Sequence, residues 1–375
     1  MNYHIILTER CNLKCKYCYE KSMNEFDNGL QKKWDYDNTV PFDSEVKPEN
    51  LKNFLKPGDR LIFYGGEPLI MLEKIKEIMD FLKNSKIKFC IQTNGMLLNL
   101  IPKEYLIKFE KILISIDGDE KTDNENKGKI HYNQVLKNLQ IIRENGFKGE
   151  IVARMVISPP KSFDVYNQVL HLVNLIKKRY LDSIHWQIDA GFYKNDFNEK
   201  EFSNFVNKYN HEITRLINWW IKEIKNGKIW KLYPFLGILN RLMKWDKETK
   251  IHCGAGYANY TITTSGKISA CPILNSVKNF YCGDLNTPKE KLRKIYCEGN
   301  CLNCNFSKIC GGRCLYWNYS RLWPKKGDEL ICKTIKHLIK ILEDKIPEIE
   351  KIIQKNIFSE KDFKYEKYFG PEIIP

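Results

Sequence analysis

Three cysteines close to the N-terminus are the first residues whose spacing suggests chemistry. Cys11, Cys15 and Cys18 are separated by three and then two residues, and a short apolar run precedes them. Three thiolates on one loop can bind three irons of a [4Fe-4S] cluster and leave the fourth iron open to a substrate or cofactor. A structural zinc ion would need four closed ligands, and this loop offers no nearby fourth Cys or His. The spacing therefore favours an iron-sulfur cluster with an open iron.

Nine further cysteines lie between residues 253 and 332, and seven of them have spacings that also suggest metal binding. These seven are Cys253, Cys271, Cys301, Cys304, Cys310, Cys314 and Cys332. Soft thiolate sites accept zinc as well as iron, so only the N-terminal group favours iron here. Residues 260–270 predict a β-hairpin that turns at Ser265 and Gly266. That turn would bring Cys253 and Cys271 together.

The composition limits the class of protein. The 375 residues are 43% hydrophobic and 13% aromatic, which allows sizeable cores and roughly two to three domains. Charged residues interrupt every apolar run, so no membrane span is predicted, and the N-terminus lacks signal-peptide features. We expect a cytoplasmic protein, in which 13 cysteines indicate metal binding or redox chemistry. The formal charge of +15 is scattered along the chain, so nucleic-acid binding is not expected.

Six short β-branched runs alternate with amphipathic segments over the first half of the chain. The predicted strands are residues 3–8, 60–64, 88–93, 112–117, 150–157 and 183–189. The predicted helices are residues 69–82, 102–109, 133–145 and 164–178. This alternation indicates an α/β fold with parallel βαβ units. The pattern alone does not choose between a doubly wound sheet and a full or partial barrel.

Polar and glycine motifs follow four of these strands. The first strand leads into the cysteine loop, the second into Gly65-Gly66-Glu67-Pro68, the third into Thr93-Asn94-Gly95 and the fourth into Asp117-Gly118. Each could be an ordinary turn. Their shared position at the carboxyl ends of parallel strands, where ligands bind in both candidate folds, predicts one common site.

The remaining chain has a different pattern. Residues 198–245 predict helices, the cysteine-rich part predicts short strands and turns, and residues 334–353 predict a closing helix. The tail, residues 358–375, shows no clear period. Cys90, inside the third predicted strand, is expected to be a buried small hydrophobe.

In these motifs the sequence resembles the radical S-adenosylmethionine (radical SAM) superfamily. The resemblance is carried by Cys11, Cys15 and Cys18 with Tyr17 before the last, and by residues 65–68, 92–95 and 115–118, all in family order. It implies a partial (β/α)6 TIM-like barrel over residues 1–190, and a catalytic cluster held by Cys11, Cys15 and Cys18. The open iron of this cluster would chelate the amino and carboxylate groups of S-adenosylmethionine.

The resemblance also implies which residues contact the cofactor. They are Tyr17, Gly65, Gly66, Glu67, Thr93, Asn94, Ser115, Asp117 and Arg154. Tyr17 would contact the adenine, the Gly65 turn the methionine ammonium, and Ser115 and Asp117 the ribose or carboxylate. Arg154 would pair with the carboxylate of S-adenosylmethionine. The alternative is that its guanidinium only reaches solvent at the end of a strand.

The seven later cysteines resemble the SPASM extension of radical SAM enzymes that modify peptides. The resemblance implies auxiliary cluster I on Cys253, Cys271 and Cys314, and auxiliary cluster II on Cys301, Cys304, Cys310 and Cys332, giving three [4Fe-4S] clusters. Auxiliary cluster I lacks a fourth ligand, which could be Cys282, Cys297 or an oxygen such as that of Tyr257, or the iron could be open to substrate. The predicted domains are the barrel (1–190), a helical linker (191–250), the SPASM domain (251–335) and a C-terminal helix with the tail (336–375).

The implied function is reductive cleavage of S-adenosylmethionine to a 5′-deoxyadenosyl radical, which abstracts hydrogen from a peptide or protein residue. A crosslink, a cyclisation or another oxidation would follow, as in the maturation of ribosomally made peptide products. The implied partners are the substrate and a reductant such as ferredoxin or flavodoxin. Because the first strand begins at Tyr3, we expect the peptide to be held by the barrel, by the SPASM region or by a separate leader-binding protein.

Two other radical reactions are alternatives. Formylglycine formation by an anaerobic sulfatase maturase is disfavoured because Pro272 stands where those enzymes have a catalytic Asp. Radical modification of RNA would require salt-sensitive RNA binding.

Overall fold

A computed structural model describes residues 1–18, 33–158, 164–189, 191 and 197–369. Its centre is a set of six parallel strands that closely match the predicted ones. They are β1 (Asn2–Ile6), β2 (Arg60–Tyr64), β3 (Lys88–Thr93), β4 (Phe109–Ser115), β5 (Glu150–Ile157) and β6 (Ser183–Ile188). All five residues of β1 are buried, as expected for a parallel sheet with both faces covered.

The strands pair in chain order, from β1 to β6. A doubly wound sheet reverses its strand order at a switch point, whereas this sheet does not reverse among its six parallel strands. Because parallel crossovers are right-handed, a sequential order places the connecting helices on one side, and the sheet curls around its own inner face. The predicted partial (β/α)6 barrel is therefore confirmed.

Helices of the barrel lie between the strands. They are α1 (Pro48–Phe54), α2 (Leu72–Phe81), α3 (Lys103–Leu106), α4 (Glu120–Lys127), α5 (His131–Glu144) and α6 (Val165–Lys177). The apolar face of each amphipathic helix packs on the strands; Val169, Leu172 and Val173 of α6, for example, are buried.

The cysteine-rich region continues the same sheet. Strand β7 (Asn259–Ile262) pairs in parallel with β1, so that Tyr3 lies opposite Tyr260. Strands β8 (Lys267–Ser269) and β9 (Tyr281–Asp284) follow in antiparallel order. The predicted hairpin is thus present as β7 and β8, with Gly266 in the left-handed region at φ +84°.

The linker and the end of the chain are helical. These helices are α7 (Glu199–Lys225), α8 (Tyr233–Leu242), α9 (Ser307–Cys310), α10 (Leu315–Ser320), α11 (Lys325–Asp344) and α12 (Ile346–Gln354). Helix α11 contacts α7, where Thr214 Oγ1 lies 2.8 Å from His337 Nε2. The closing helix, α11, begins nine residues earlier than predicted and crosses the predicted domain boundary at residue 335. It ends before Pro347, because a proline has no N–H and a fixed φ, which favour the start of a new helix, α12.

Residues 364–369 of the tail close the amino end of the barrel. Phe369 is fully buried against Ile62, Cys90 and Leu113, and the carboxylate of Glu366 forms ion pairs with Arg60 (3.1 Å) and Lys111 (2.9 Å). The predicted burial of Cys90 is confirmed. The last tail residues, 370–375, lie outside the described part of the chain. Across the described residues, no helix is both long and apolar enough to cross a membrane.

Candidate active site

A cavity of about 220 Å³ opens at the carboxyl ends of the barrel strands. Its wall includes the three N-terminal cysteines, Gly65 and Gly66, Ser115 and Arg154. It is also lined by Cys253 and Cys271, which the β7–β8 hairpin brings to the barrel. One cavity therefore contains residues from both predicted groups of metal ligands.

The glycine turn after β2 lies against the residues that lead into Cys11. Gly65 has φ +143°, and a Cβ on it would lie 2.3 Å from the carbonyl oxygen of Thr8. A Cβ on Gly66 would lie 2.4 Å from the carbonyl oxygen of Arg10, and the Gly66 N–H donates to Thr8 O at 2.8 Å. Only glycine permits this approach, so the turn and the start of the cysteine loop are held together by backbone contacts.

Glu67 connects the ends of β2 and β3. Its fully buried carboxylate accepts hydrogen bonds from Leu69 N (3.0 Å), Thr93 Oγ1 (2.8 Å) and Asn94 N (2.8 Å). Burial raises the pKa of Glu67 to about 7, against the lowering effect of those donors. Asn94 Nδ2 in turn donates to Asn12 Oδ1 at 2.7 Å. The Glu67 side chain thus orients the strand ends, and ammonium binding by this turn stays a prediction.

Asp117 is fully buried behind the cavity wall. Its Oδ2 accepts hydrogen bonds from Tyr17 OH (2.6 Å) and Asn126 Nδ2 (3.0 Å), and its Oδ1 accepts from Val156 N (2.9 Å). Asp117 therefore holds the ring of Tyr17, which is part of the cysteine loop. The predicted contacts of Asp117 and Tyr17 with the cofactor stay predictions, as do those of Thr93 and Asn94.

Ser115 and Arg154 face one another across two neighbouring strands. They are paired in the register of β4 and β5, and both line the cavity. Arg154 Nη2 donates to Gln187 Oε1 at 3.2 Å, which orients the guanidinium within the wall. This placement supports the interpretation of Arg154 as an inward residue.

Sequence reasoning missed a buried ionic network behind Tyr17. Lys127 forms ion pairs with Asp117 and with Asp123 (2.8 Å), and its Nζ lies 5.6 Å from the centre of the Tyr17 ring. Burial alone would raise the pKa of Asp123, but Lys127 and His131 hold it at about 2. Asp123 and Lys127 are four residues apart on α4 and so lie on one helical face, whereas His131 begins the next helix and joins them only through packing.

His4 on β1 was also missed. It lines the cavity, and its Nδ1 lies 3.0 Å from Asn259 Oδ1. Asn259 Nδ2 donates to the carbonyl oxygen of Cys253 at 3.2 Å. Burial lowers the pKa of His4 to about 4, so the ring is neutral near pH 7. This chain of contacts joins the barrel to the cysteine-rich region.

A second cavity of about 640 Å³ lies in the cysteine-rich region. All four cysteines predicted for auxiliary cluster II line it: Cys301, Cys304, Cys310 and Cys332. The thiol of Cys301 accepts a hydrogen bond from Asn318 Nδ2 at 3.4 Å, and that of Cys310 accepts from the backbone N–H groups of Gly312 and Arg313. Such donors stabilise thiolates, so the cavity fits a thiolate-bound cluster.

The predicted ligands of auxiliary cluster I also lie together. Burial raises the pKa of Cys271 well above its usual value, with the nearby thiols of Cys314 and Cys253 adding to this effect. No disulfide joins any cysteine of the chain, and every cysteine lies in the described residues. Within those residues no three candidate ligands lie close enough to hold one metal ion. A cubane needs no such convergence, because each thiolate binds a different iron, so the thiols fit clusters.

A comparison with protein families identifies the barrel. The model of the radical SAM superfamily matches residues 5–173, which include the cysteine loop, the glycine turn and the ends of β3, β4 and β5. Residues 5–173 of the chain are therefore similar to the radical SAM superfamily.

Some relatives match the chain over its cysteine-rich region as well as over the barrel. The radical SAM cyclopropyl synthase TigE of Paramaledivibacter caminithermalis is 26% identical over 339 residues, covering 82% of this chain and 66% of TigE. A cysteine-type anaerobic sulfatase-maturating enzyme of Clostridium perfringens is 22% identical over 347 residues, covering 80% of this chain and 85% of that enzyme. Four further relatives are matched over only 34% to 43% of their own length.

The fold is shared with a solved structure. Native anSMEcpe, with bound AdoMet and the Cp18Cys peptide, superposes with a TM-score of 0.64 at 16% identity, covering 95% of this chain and 99% of that one. The likeness therefore includes the cysteine-rich region and the C-terminal helices as well as the barrel.

Proposed function

We propose that this protein binds S-adenosylmethionine at a [4Fe-4S] cluster held by Cys11, Cys15 and Cys18 and uses it to oxidise a residue of a peptide or protein. The observation that carries the proposal is the shared cavity, which is lined both by the cysteine loop and by Cys253 and Cys271. A substrate in this cavity would lie between the catalytic and the auxiliary cluster. The bound cofactor would supply the radical chemistry.

The residues of the chain would bind and orient the cofactor. The Gly65 turn lines the cavity, its glycines let it lie against the start of the cysteine loop, and the guanidinium of Arg154 suits a carboxylate. The ring of Tyr17, held by Asp117 and Lys127, would contact the adenine of the cofactor. The Ser115 hydroxyl completes this wall. Together they would hold the reacting carbon in place and exclude water.

A peptide or protein substrate is supported by the relatives. The shared fold of anSMEcpe holds a peptide together with AdoMet, and TigE is named as a cyclopropyl synthase. We therefore propose a crosslink, a cyclisation or a related two-electron oxidation as the outcome. A one-electron reductant such as ferredoxin or flavodoxin would supply the electron, and the peptide would be held by the barrel, by the cysteine-rich region or by a separate leader-binding protein.

Formylglycine formation is the second candidate, because a sulfatase-maturating enzyme is among the relatives. Pro272 follows Cys271 in the cavity wall and offers no carboxylate for proton transfer at that position. The cavity therefore favours a reaction other than that of the maturases.

We further propose that Cys297 completes auxiliary cluster I. The raised pKa of Cys297 comes mainly from burial, and the nearby thiols that add to it are Cys301, Cys314, Cys253 and Cys310. Cys282 instead donates to Phe280 O at 3.5 Å, with Arg293 as its charged neighbour, and Tyr257 OH donates to Ile251 O at 2.7 Å. Of the three candidates, Cys297 is the one with two proposed ligands of cluster I, Cys314 and Cys253, among its neighbours, and this supports its assignment.

Anaerobic purification followed by iron and sulfide counting tests the proposal. Three clusters require about twelve irons per chain, and reduced protein should convert S-adenosylmethionine to 5′-deoxyadenosine. Cys11→Ala should abolish this cleavage, whereas Cys301→Ala should retain part of it. An iron content of about four, or no cleavage by the reduced wild type, would contradict the proposal. Co-expression with a short peptide encoded beside the gene, followed by mass spectrometry, would identify the modification.

A further inference from the structure

Arg313 separates two cysteines that the proposed function assigns to different clusters, Cys310 and Cys314. It is a buried residue with 6% exposure and has φ +58°, a left-handed conformation that is uncommon for residues other than glycine. Gly311 (φ +71°) and Gly312 (φ +103°) precede it. The three residues form a tight reversal that turns a long cationic side chain into the protein.

The guanidinium of Arg313 has few partners for a buried charge. Its Nη2 donates to Ile188 O at 2.9 Å, and its central carbon lies 5.5 Å from the centre of the Trp317 ring. Its Nε is buried without a hydrogen-bond partner. Among the described residues, no carboxylate lies within ion-pair distance of Arg313. A buried cation without an anion is unfavourable, so this environment lacks a negatively charged group.

The second cavity offers the place for that group. Arg313 lines it together with Cys301, Cys304, Cys310 and Cys332. The thiols of Cys314, Cys310 and Cys332 are its closest acidic neighbours. A [4Fe-4S] cluster bound by four thiolates carries a net negative charge, and positive charge or hydrogen bonds near its sulfurs raise its reduction potential.

We propose that Arg313 is a positioning residue for electron transfer, whose buried guanidinium raises the reduction potential of the cluster at Cys301, Cys304, Cys310 and Cys332. The proposal rests on the proposed function, because it requires that this cavity hold a cluster. Arg313 would supply the counter-charge, and its Nε–H would donate to a cluster or cysteine sulfur.

The test is a potentiometric titration of the cluster-loaded, full-length protein, followed by electron paramagnetic resonance. In Arg313→Gln, the ratio of reduced to oxidised auxiliary cluster at a fixed potential should fall at least tenfold, which corresponds to about 59 mV for one electron. Arg313→Lys keeps the charge but loses the Nε donor, so a smaller fall of about threefold is expected. The N-terminal cluster should keep its potential in both variants.

Arg321→Gln is the matched control. Arg321 lines the rim of the same cavity but is exposed, and its Nε donates to Asn318 O at 3.0 Å. Water screens an exposed charge, so this variant should change the ratio less than twofold. A shift as large as that of Arg313→Gln would overturn the role assigned to Arg313.

Iron counting separates the failure of this inference from the failure of the proposed function. Wild-type protein with about four irons per chain would overturn the proposed cluster content. Full iron content with unshifted potentials in both Arg313 variants would overturn only the role of Arg313. If Arg313→Gln does not load its clusters, Arg313→Lys decides, and an unshifted potential in that variant overturns the inference.

Discussion

At the scale of single residues, the buried carboxylate of Glu67 organises the mouth of the barrel. It accepts hydrogen bonds from a backbone N–H next to β2 and from the side chain and backbone at the end of β3. Such a group stabilises the site by orienting its neighbours, but burial makes its ionised form less favourable than it is in water. Its protonation should therefore be linked to folding.

We expect Glu67 to make stability decrease as pH rises. The folded pKa of about 7 lies above the ordinary value of 4.5, so between these values the folded protein binds a proton that the unfolded chain has released. Stability from this group is present below pH 4.5 and is lost as pH rises through 7, by up to about 3 kcal/mol. Anaerobic urea unfolding across this range should show the decrease in wild type but not in Glu67→Gln. If the free energy of unfolding changed equally with pH in wild type and in Glu67→Gln, the assignment of this pH dependence to Glu67 would be wrong.

The fourth ligand of auxiliary cluster I is also decided at a single residue. Cys297→Ala should leave one iron of that cluster without a cysteine, so mild oxidation should release about one iron per chain more than it does from wild type, whose N-terminal cluster already has one such iron, and the [3Fe-4S] signal should be correspondingly larger. Iron analysis and electron paramagnetic resonance measure this. Cys282→Ala is the matched control, since Cys282 is a buried thiol bonded to Phe280 O. Equal iron loss in both variants would refute the assignment to Cys297.

At the scale of elements, helix α4 fixes the cysteine loop from outside the barrel. Lys127 in its last turn lies between the buried carboxylates of Asp117 and Asp123, and Lys16 N donates to Asn126 O at 3.0 Å. The helix is therefore linked both to the loop that carries the three cysteines and to the end of β4.

Removing the Lys127 charge should destabilise this part of the site. Lys127→Met leaves two buried carboxylates without their cation, which costs about 3 to 5 kcal/mol, and Tyr17 loses the neighbour over its ring. We expect a lower urea midpoint and weaker S-adenosylmethionine binding by calorimetry. Lys121→Met, an exposed lysine on the same helix, should match wild type. If Lys127→Met had the same urea midpoint as wild type, the ion pairs of Lys127 with Asp117 and Asp123 would not stabilise the fold.

At the scale of the whole molecule, the two ends of the barrel have separate tasks. The carboxyl end holds the cavity with both groups of cysteines. The amino end is closed by the tail, where Phe369 lies under the strands and Glu366 pairs with Arg60 and Lys111. Stability and chemistry can therefore be separated by mutation.

Phe369→Ala should destabilise the protein while leaving the site intact. Removal of a fully buried phenyl ring costs about 3 to 5 kcal/mol, and this ring lies at the end of the barrel opposite the cavity. Thermal unfolding should shift downward, while the rate of S-adenosylmethionine cleavage per folded molecule at low temperature stays unchanged. Ile357→Ala, at a residue with 46% exposure, serves as the control. If Phe369→Ala lowered the rate of S-adenosylmethionine cleavage per folded molecule as well as the stability, the two ends of the barrel would not act independently.

The sequence by itself determined the features that depend on neighbours along the chain. The spacing of Cys11, Cys15 and Cys18 confines three thiols to one loop, and residue periodicity marks all six barrel strands and the β7–β8 hairpin. These are short-range effects, because loop length and the two-residue repeat of a strand fix them locally.

Only the tertiary structure decided which distant residues meet. The strand order excluded a doubly wound sheet, and β7 joined β1 across more than 250 residues. The positions of Cys297 between the cluster ligands, of Lys127 behind Tyr17 and of Phe369 beneath the barrel follow from packing. Such contacts carry no spacing signal, because burial and charge pairing depend on surfaces that form only when the whole chain has folded.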